Sequence, residues 1–565
     1  MFGLDLLLFL IIFFLCLCSV IGYGFFFHIL VLSKRDIQDN LKYVGFYGIG
    51  LITFISMITS IFLSHNYLHN IIIHFFGFLL FLLFFKKNLI YFKNILINSL
   101  LVFSLIFIYK TNEDFPYYHL PFTKYLIENK IIFGMGNIEH GYNYVSSLFF
   151  LNSTFYLPLI KFYAYHFSTL YYLIFFNFFL LAEIFSKKNN YIINFLYLFT
   201  FTFFNISFNR IAEYGTDKIG HLLIVIVTIK LIDILCFSRK INKSEKIILL
   251  IPLLGLCISL KTYFLPYILL SIPILFCDRN IFNNIKNLLF SRSFIFFFFL
   301  LTIIFFHHFV STGCIISPIP ITCFGDQFLW ARSVEEIINL SNWLEQWSKA
   351  GAGPNFRVEN PLEYISYFNW VPNWFEKYFL VKVLDQVAIL ITSYVLLILI
   401  FKQFKFSKKK IWFNKKNFIF IYVVLLIIFL IWFNKHPALR YGGYPICFLV
   451  ISIPLSFYFS HLTDKSKIFL KLKYFVIFVF ILINLKNMIR IYDEFFKNKD
   501  FVSNIFPFYS IEYPIYKTKK FDENFIMYAT TKRFCWTIPS PCGTFDNIDV
   551  VKKNSYYFLN KKNNN

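Results

Sequence analysis

The sequence predicts an all-α polytopic membrane protein with about 12–14 spanning helices and further helices in its outer loops. Three observations predict it. First, 58% of the 565 residues are hydrophobic and mean hydropathy is +0.64, well outside the range of soluble domains. Second, the apolar residues come in runs of membrane-crossing length. Third, Lys and Arg gather between alternate runs, as the positive-inside rule requires. The net charge of +24 therefore does not mark a nucleic-acid binder, because the cations sit where a membrane topology places them. Phe, Ile, Lys, Asn and Tyr share AT-rich codons, so part of the 82-Phe bias reflects the genome and not function.

Taken in order, the runs cover 4–32, 43–63, 70–85, 95–109, 165–185, 191–208, 219–237, 247–260, 262–276, 293–311, 378–401, 418–434, 442–460 and 474–489. Residues 145–163 read as a further span or a helix lying on the surface. The first run lacks a basic lead-in and is long enough to span, so it reads as a helix and not as a cleavable signal. Basic clusters at Lys34–Lys42, Lys86–Lys93, Lys187–Lys188, Arg239–Lys246, Arg279–Arg292, 402–417 and Lys465–Lys473 all thread to one side, the cytoplasm. The other loops, 110–164 and 312–377 among them, face outward, and the outer side is read as a periplasm. Residues 1–490 form the membrane domain and 491–565 a periplasmic tail.

The outer loops differ in chemistry from the inner ones. Residues 312–376 carry seven acids, three bases and five of the eight Trp, a composition suited to interfacial helices. Cys314 and Cys323 flank one Pro-containing turn, and Cys535 and Cys542 another. Both pairs face an oxidising compartment, where each can close a small disulfide loop. The ten Cys show no zinc spacing.

Four polar islands at outer helix ends are the candidate chemistry. Glu113, Asp114, Tyr117, Tyr118 and His119 form the first; ionisable groups at a membrane edge are functional candidates by default. Arg210, Glu213, Asp217 and Lys218 form the second. Lys261 stands alone before Thr262 and Pro266, and Lys435, His436, Arg440 and Tyr441 complete the set. A carboxylate against an apolar wall can take a proton from a hydroxyl, and Arg and Lys suit a lipid phosphate. Each has a plainer reading. Asp114 can cap a helix, and His119 can be a hydrogen-bonded structural residue. Lys261 can snorkel to the interface, and Arg440 can cap helix carbonyls. His307 and His308 read as structural. Glu113 and Asp114 are a weak pair of divalent-cation ligands, and no cofactor is otherwise indicated.

Several stretches carry a family resemblance. These are Asp114–Leu120 (Asp-Phe-Pro-Tyr-Tyr-His-Leu), Gly134–Asn137 with His140 and Tyr144, Gly313–Pro318 with Cys323, Phe324 and Trp330, and Pro437–Tyr441. The layout resembles the GT-C superfamily of integral-membrane glycosyltransferases, and most nearly a GT-C-like group of bacterial multipass proteins. The resemblance covers roughly 95–460 and departs in two ways: several spans precede the acidic loop where one is usual, and no DxD occurs. It implies transfer of a sugar from a polyprenyl-phosphate donor to a glycan, lipid or protein acceptor. It implies Asp114 as base, with Glu113 and His119 beside it. Glu213 or Asp217 stands as the second acid, and Tyr118, Lys218, Lys261, Arg440 and Tyr441 stand at the donor. A lipid-linked-glycan flippase and an O-antigen-type polymerase or ligase are the alternatives. The few mid-span charges, Glu183 and Asp233, weigh against the first, and the acidic 312–376 loop against the second.

Overall fold

A computed structural model describes residues 2–32, 40–108, 111–186, 190–207, 215–237, 243–275, 281–350, 358, 360–401, 413–459, 465–497 and 512–561. Among these, eleven helices are long and apolar enough to cross a membrane. They run from Asp5–Val31 to Lys471–Phe496 and coincide with eleven of the expected spans. The chain is a polytopic helical membrane protein.

The remaining three expected spans are shorter apolar helices among the described residues. Tyr191–Ser207 has 17 residues, and Ile251–Leu260 has 10. At 1.5 Å per residue, ten residues rise only about 15 Å, half of a hydrocarbon core. Thr262–Leu275 contains Pro266 and begins as a 3-10 helix. The apolar run from 247 to 276 is divided at Lys261, whose backbone is extended (φ −164°, ψ 139°). The break leaves Lys261 at a junction between two partial helices. Residues 145–163 form neither a span nor a surface helix. Ser147–Thr154 is an eight-residue helix buried along its whole length.

Small residues set the closest helix contacts. A Cβ added at Gly22 would lie 2.0 Å from the Gly77 carbonyl oxygen, and one at Gly48 1.8 Å from that of Val20. The first helix thus packs backbone to backbone against its two successors, the usual way helices associate where lipid supplies no hydrophobic drive. Aromatic rings fill the remaining space. Phe13, for example, meets Phe103, Phe167 and Tyr171 at centroid distances of 5.2–5.8 Å.

The tail departs from the all-α expectation. Its strands β1 (Tyr516–Asp522) and β2 (Phe525–Thr530) form one antiparallel hairpin. Strands β3 (Ile548–Lys553) and β4 (Tyr556–Lys561) form another. Short strands joined by two-residue turns, Glu523-Asn524 and Asn554-Ser555, form hairpins. The hairpins dock on the 111–164 segment: Phe133 exchanges two backbone hydrogen bonds with Tyr557 and Leu559, each 2.9 Å. Both cysteine pairs, Cys314–Cys323 and Cys535–Cys542, are disulfides.

Candidate functional site

Asp114 ends the Thr111–Asp114 stretch and opens a π-type turn over Phe115–His119. It makes no side-chain cap to that turn. Its carboxylate instead accepts from Arg440 Nη2 at 2.7 Å, across 326 residues of chain. Arg440 also lies on a π-type turn, Leu439–Gly443, which breaks at Tyr441 and Gly442. Gly442 takes φ +85°, a region that glycine enters without steric cost. The kink turns Arg440 back toward the loop.

Asp217 joins the pair from the first turn of Thr216–Ile232. Arg440 Nε donates to Asp217 Oδ2 at 3.0 Å, and Lys261 Nζ donates to Oδ1 at 2.5 Å. The break between two partial helices is what carries Lys261 to this point. Two cations and two carboxylates thus form one chain: Asp114, Arg440, Asp217, Lys261. Their side chains are 14–29% exposed, too sheltered for an ordinary surface network and open enough to meet a ligand. Burial favours the neutral Asp114 carboxyl. Arg440, His119 and Lys261 outweigh it and hold the group below its ordinary 3.8.

Aromatic rings flank both cations. Arg440 lies 5.4 Å from the Tyr441 ring centroid and 5.6 Å from that of Trp347. Lys261 lies 5.5 Å from Tyr441 and 5.8 Å from Tyr263, whose rings stack on each other at 4.2 Å. His221 Nε2 donates to the Arg440 carbonyl at 3.1 Å and so braces the kinked turn.

The cluster borders a cavity of about 420 Å³. Of the four charged residues Lys261 lines it, and Tyr441, Thr216 and Tyr118, next in sequence or space to the others, line it as well. Beyond them the walls are largely apolar, with Leu265, Pro266, Leu344, Ile428, Ile431 and Trp432 among the lining residues. A second ion group stands on the same cavity, where Glu345 binds Lys349 at 2.7 Å and Lys435 at 3.4 Å. Amphipathic pockets of this kind, mostly apolar with a few convergent polar groups, are the usual form of a small-molecule or lipid site.

The expected site residues divide clearly. Asp114, Asp217, Lys261, Arg440 and Tyr441 come together, and Tyr118 is buried beside them. His119 is 4% exposed and packs on Tyr118 and Phe149. Lys218 is partly exposed on the turn after Asp217. Arg210 and Glu213 lie outside the described residues. Glu113 does not share the site: it is 66% exposed and pairs with Arg533 of the tail at 3.0 Å. Adjacent residues entering a helical turn point in different directions, so Glu113 and Asp114 do not form a metal-binding pair. Among the described residues no group of three or more His, Cys, Asp or Glu is placed to hold a metal ion.

Sequence reading missed Tyr263 and His221, placed Trp347 only among the outer-loop Trp, and read His308 as structural. His221 stands one helical turn after Asp217, a spacing that was legible. His308 lines the cavity while its neighbour His307 binds the Met57 carbonyl at 2.9 Å.

No curated protein and no solved structure matches this chain. Residues 6–447, which include every member of the ion cluster, match a family described as a domain of unknown function, DUF8201, and the chain belongs to that family.

Proposed function

We propose that the protein is an integral-membrane glycosyltransferase. It moves a sugar from a polyprenyl-phosphate donor to a glycan, lipid or protein acceptor on the periplasmic side of a bacterial inner membrane. The observation that carries this reading is the Asp114–Arg440–Asp217–Lys261 chain at the edge of an apolar cavity. A lipid phosphate presents the complementary parts: an apolar chain for the cavity, and an anion for Arg440 and Lys261.

The chemistry follows from these groups. The donor phosphate takes a share of Arg440 and Lys261, which loosens Asp114. The freed carboxylate accepts the proton of an acceptor hydroxyl. The acceptor oxygen bonds to the anomeric carbon as the bond from that carbon to the phosphate oxygen breaks. The sugar inverts, and the two cations take up the charge left on the phosphate.

The test is transfer from a mass-tagged polyprenyl-phosphate sugar to membrane acceptors, wild type against Asp114→Asn at matched expression. The amide keeps the shape and cannot accept the proton, so we expect a fall of at least about a hundredfold. Near-wild-type turnover in Asp114→Asn would sink the assignment. Loss of cellular function with no detectable transfer by the wild type would favour a flippase.

A further inference from the structure

The tail, residues 512–561, lies beyond the family match, yet it reaches the turn that carries Asp114. The contacts are specific. Trp536 N–H donates to the Pro116 carbonyl at 3.2 Å, and the Trp536 ring meets Phe115 edge-on at 5.9 Å. Arg533 pairs with Glu113 at 3.0 Å, and Phe534 packs on Tyr117 at 6.1 Å. Four of the five residues from Glu113 to Tyr117 are thus touched by the 533–536 segment. The fifth, Asp114, faces Arg440 instead.

The 533–536 segment is itself fastened. Cys535 and Cys542 close it into a loop. Ser540 N–H donates to Glu128 Oε2 at 2.7 Å, and Thr544 N–H donates to the Ile138 carbonyl at 2.8 Å. Trp536 adopts φ +46°, a left-handed conformation that is costly for a bulky side chain. Such strain persists only where the surroundings over-determine it, and it gathers at functional clamps.

We propose that the disulfide-closed loop of the tail is an intramolecular clamp, with Trp536 as a positioning residue that sets the direction of Asp114 toward Arg440. The clamp works from the face opposite Arg440. Trp536 fixes the backbone at Pro116 and the ring at Phe115. Asp114 is left with one orientation, into the ion cluster. The Cys535–Cys542 bond keeps the loop in shape, so the clamp is complete only in an oxidising compartment.

The inference rests on the glycosyltransferase reading for its catalytic consequence but not for its structural one, and the experiment separates them. Full-length protein in lipid nanodiscs is compared as wild type, Trp536→Ala, Trp536→Phe, the double variant Cys535→Ser/Cys542→Ser, and Lys561→Ala. The last removes a tail ion pair to Glu336, away from Asp114. Hydrogen exchange over 112–120 is the first readout. We expect protection there to fall at least tenfold in Trp536→Ala and in the double Cys variant. It should stay at the wild-type level in Trp536→Phe and Lys561→Ala. Transfer is the second readout, with kcat falling about tenfold in Trp536→Ala at unchanged donor KM and recovering in Trp536→Phe. Unchanged exchange over 112–120 in both Trp536→Ala and the double Cys variant overturns the clamp. A fall in donor affinity with kcat intact overturns the positioning role. A wild type without transfer removes the enzymatic reading alone, and the exchange data then decide the clamp.

Discussion

Two four-membered ion clusters sit at opposite ends of the Thr216–Ile232 helix, and only one of them looks like a site. At the end remote from Asp114, Glu183 binds Lys42 at 2.5 Å and Lys230 at 2.9 Å, and Lys230 binds Asp233 at 2.7 Å. Both clusters have two acids and two bases. The difference lies in the hub of each cluster: Glu183, which binds both lysines, is 1% exposed, whereas Arg440, which binds both acids, is 29% exposed. Tyr43 and Phe179 flank Lys42, and none of the four residues lines the 420 Å³ cavity. Asp114 and Arg440 keep 25% and 29% of their side-chain surface, and Lys261 opens onto the cavity. Burial of charge alone therefore does not mark function. The closed cluster ties the Leu41–Phe62, Phe162–Ile184 and Thr216–Phe237 spans together, while the open one has room for a ligand's charge.

The contrast predicts opposite outcomes for matched carboxylate-to-amide changes. Asp114→Asn should cost at least about a hundredfold in transfer and leave thermal unfolding close to wild type. Glu183→Gln leaves Lys42 without its carboxylate and Lys230 with Asp233 alone, and breaking a buried pair costs about 3–5 kcal/mol. We expect a markedly lower melting temperature in detergent and normal transfer per folded molecule. If Glu183→Gln loses transfer while keeping its stability, the division into a structural and a working cluster fails.

A smaller effect separates the two cations of the open cluster. Arg440 uses Nη2 for Asp114 and Nε for Asp217, a fork that a lysine ammonium does not reproduce. We expect Arg440→Lys to raise the donor KM about tenfold, with a smaller change in kcat. Titrating the donor under initial-rate conditions reads this directly. An unchanged KM would place the phosphate elsewhere, with the Glu345–Lys435 group on the same cavity as the next candidate.

Much of this arrangement was legible before any coordinates. The eleven spans and the position of the islands at helix ends follow from apolar run length. The pairing was not. Asp114 and Arg440 are 326 residues apart, and only the two kinked turns and the break at Lys261 bring the islands together. Glu113 was misplaced because adjacency in sequence is not adjacency of side chains on a helical turn. The β-hairpins were overlooked in a tail whose alternation is short and mixed with Lys. The helices on either side of Lys261 read as spans because hydropathy registers apolar composition and not helix length.

The pH dependence gives the finest discrimination between the clusters, because under the proposed mechanism only the open one changes partners during turnover. In the free protein Arg440, His119 and Lys261 keep Asp114 below its ordinary 3.8. A depressed carboxylate stays ionised above its own pKa and is lost as a base only when pH falls through that value. The kcat/KM profile, which reports the free protein, should therefore show no acid limb from Asp114 between pH 8 and about 5. Once donor is bound, its phosphate shares Arg440 and adds negative charge beside Asp114. Both effects raise the proton affinity of Asp114. The acid limb of kcat should accordingly lie at higher pH than that of kcat/KM. Rates measured with limiting and with saturating donor across this range supply the two profiles. Limbs that coincide would mean that Asp114 keeps its grip on Arg440 when donor binds, and the release step proposed for this site would then be wrong.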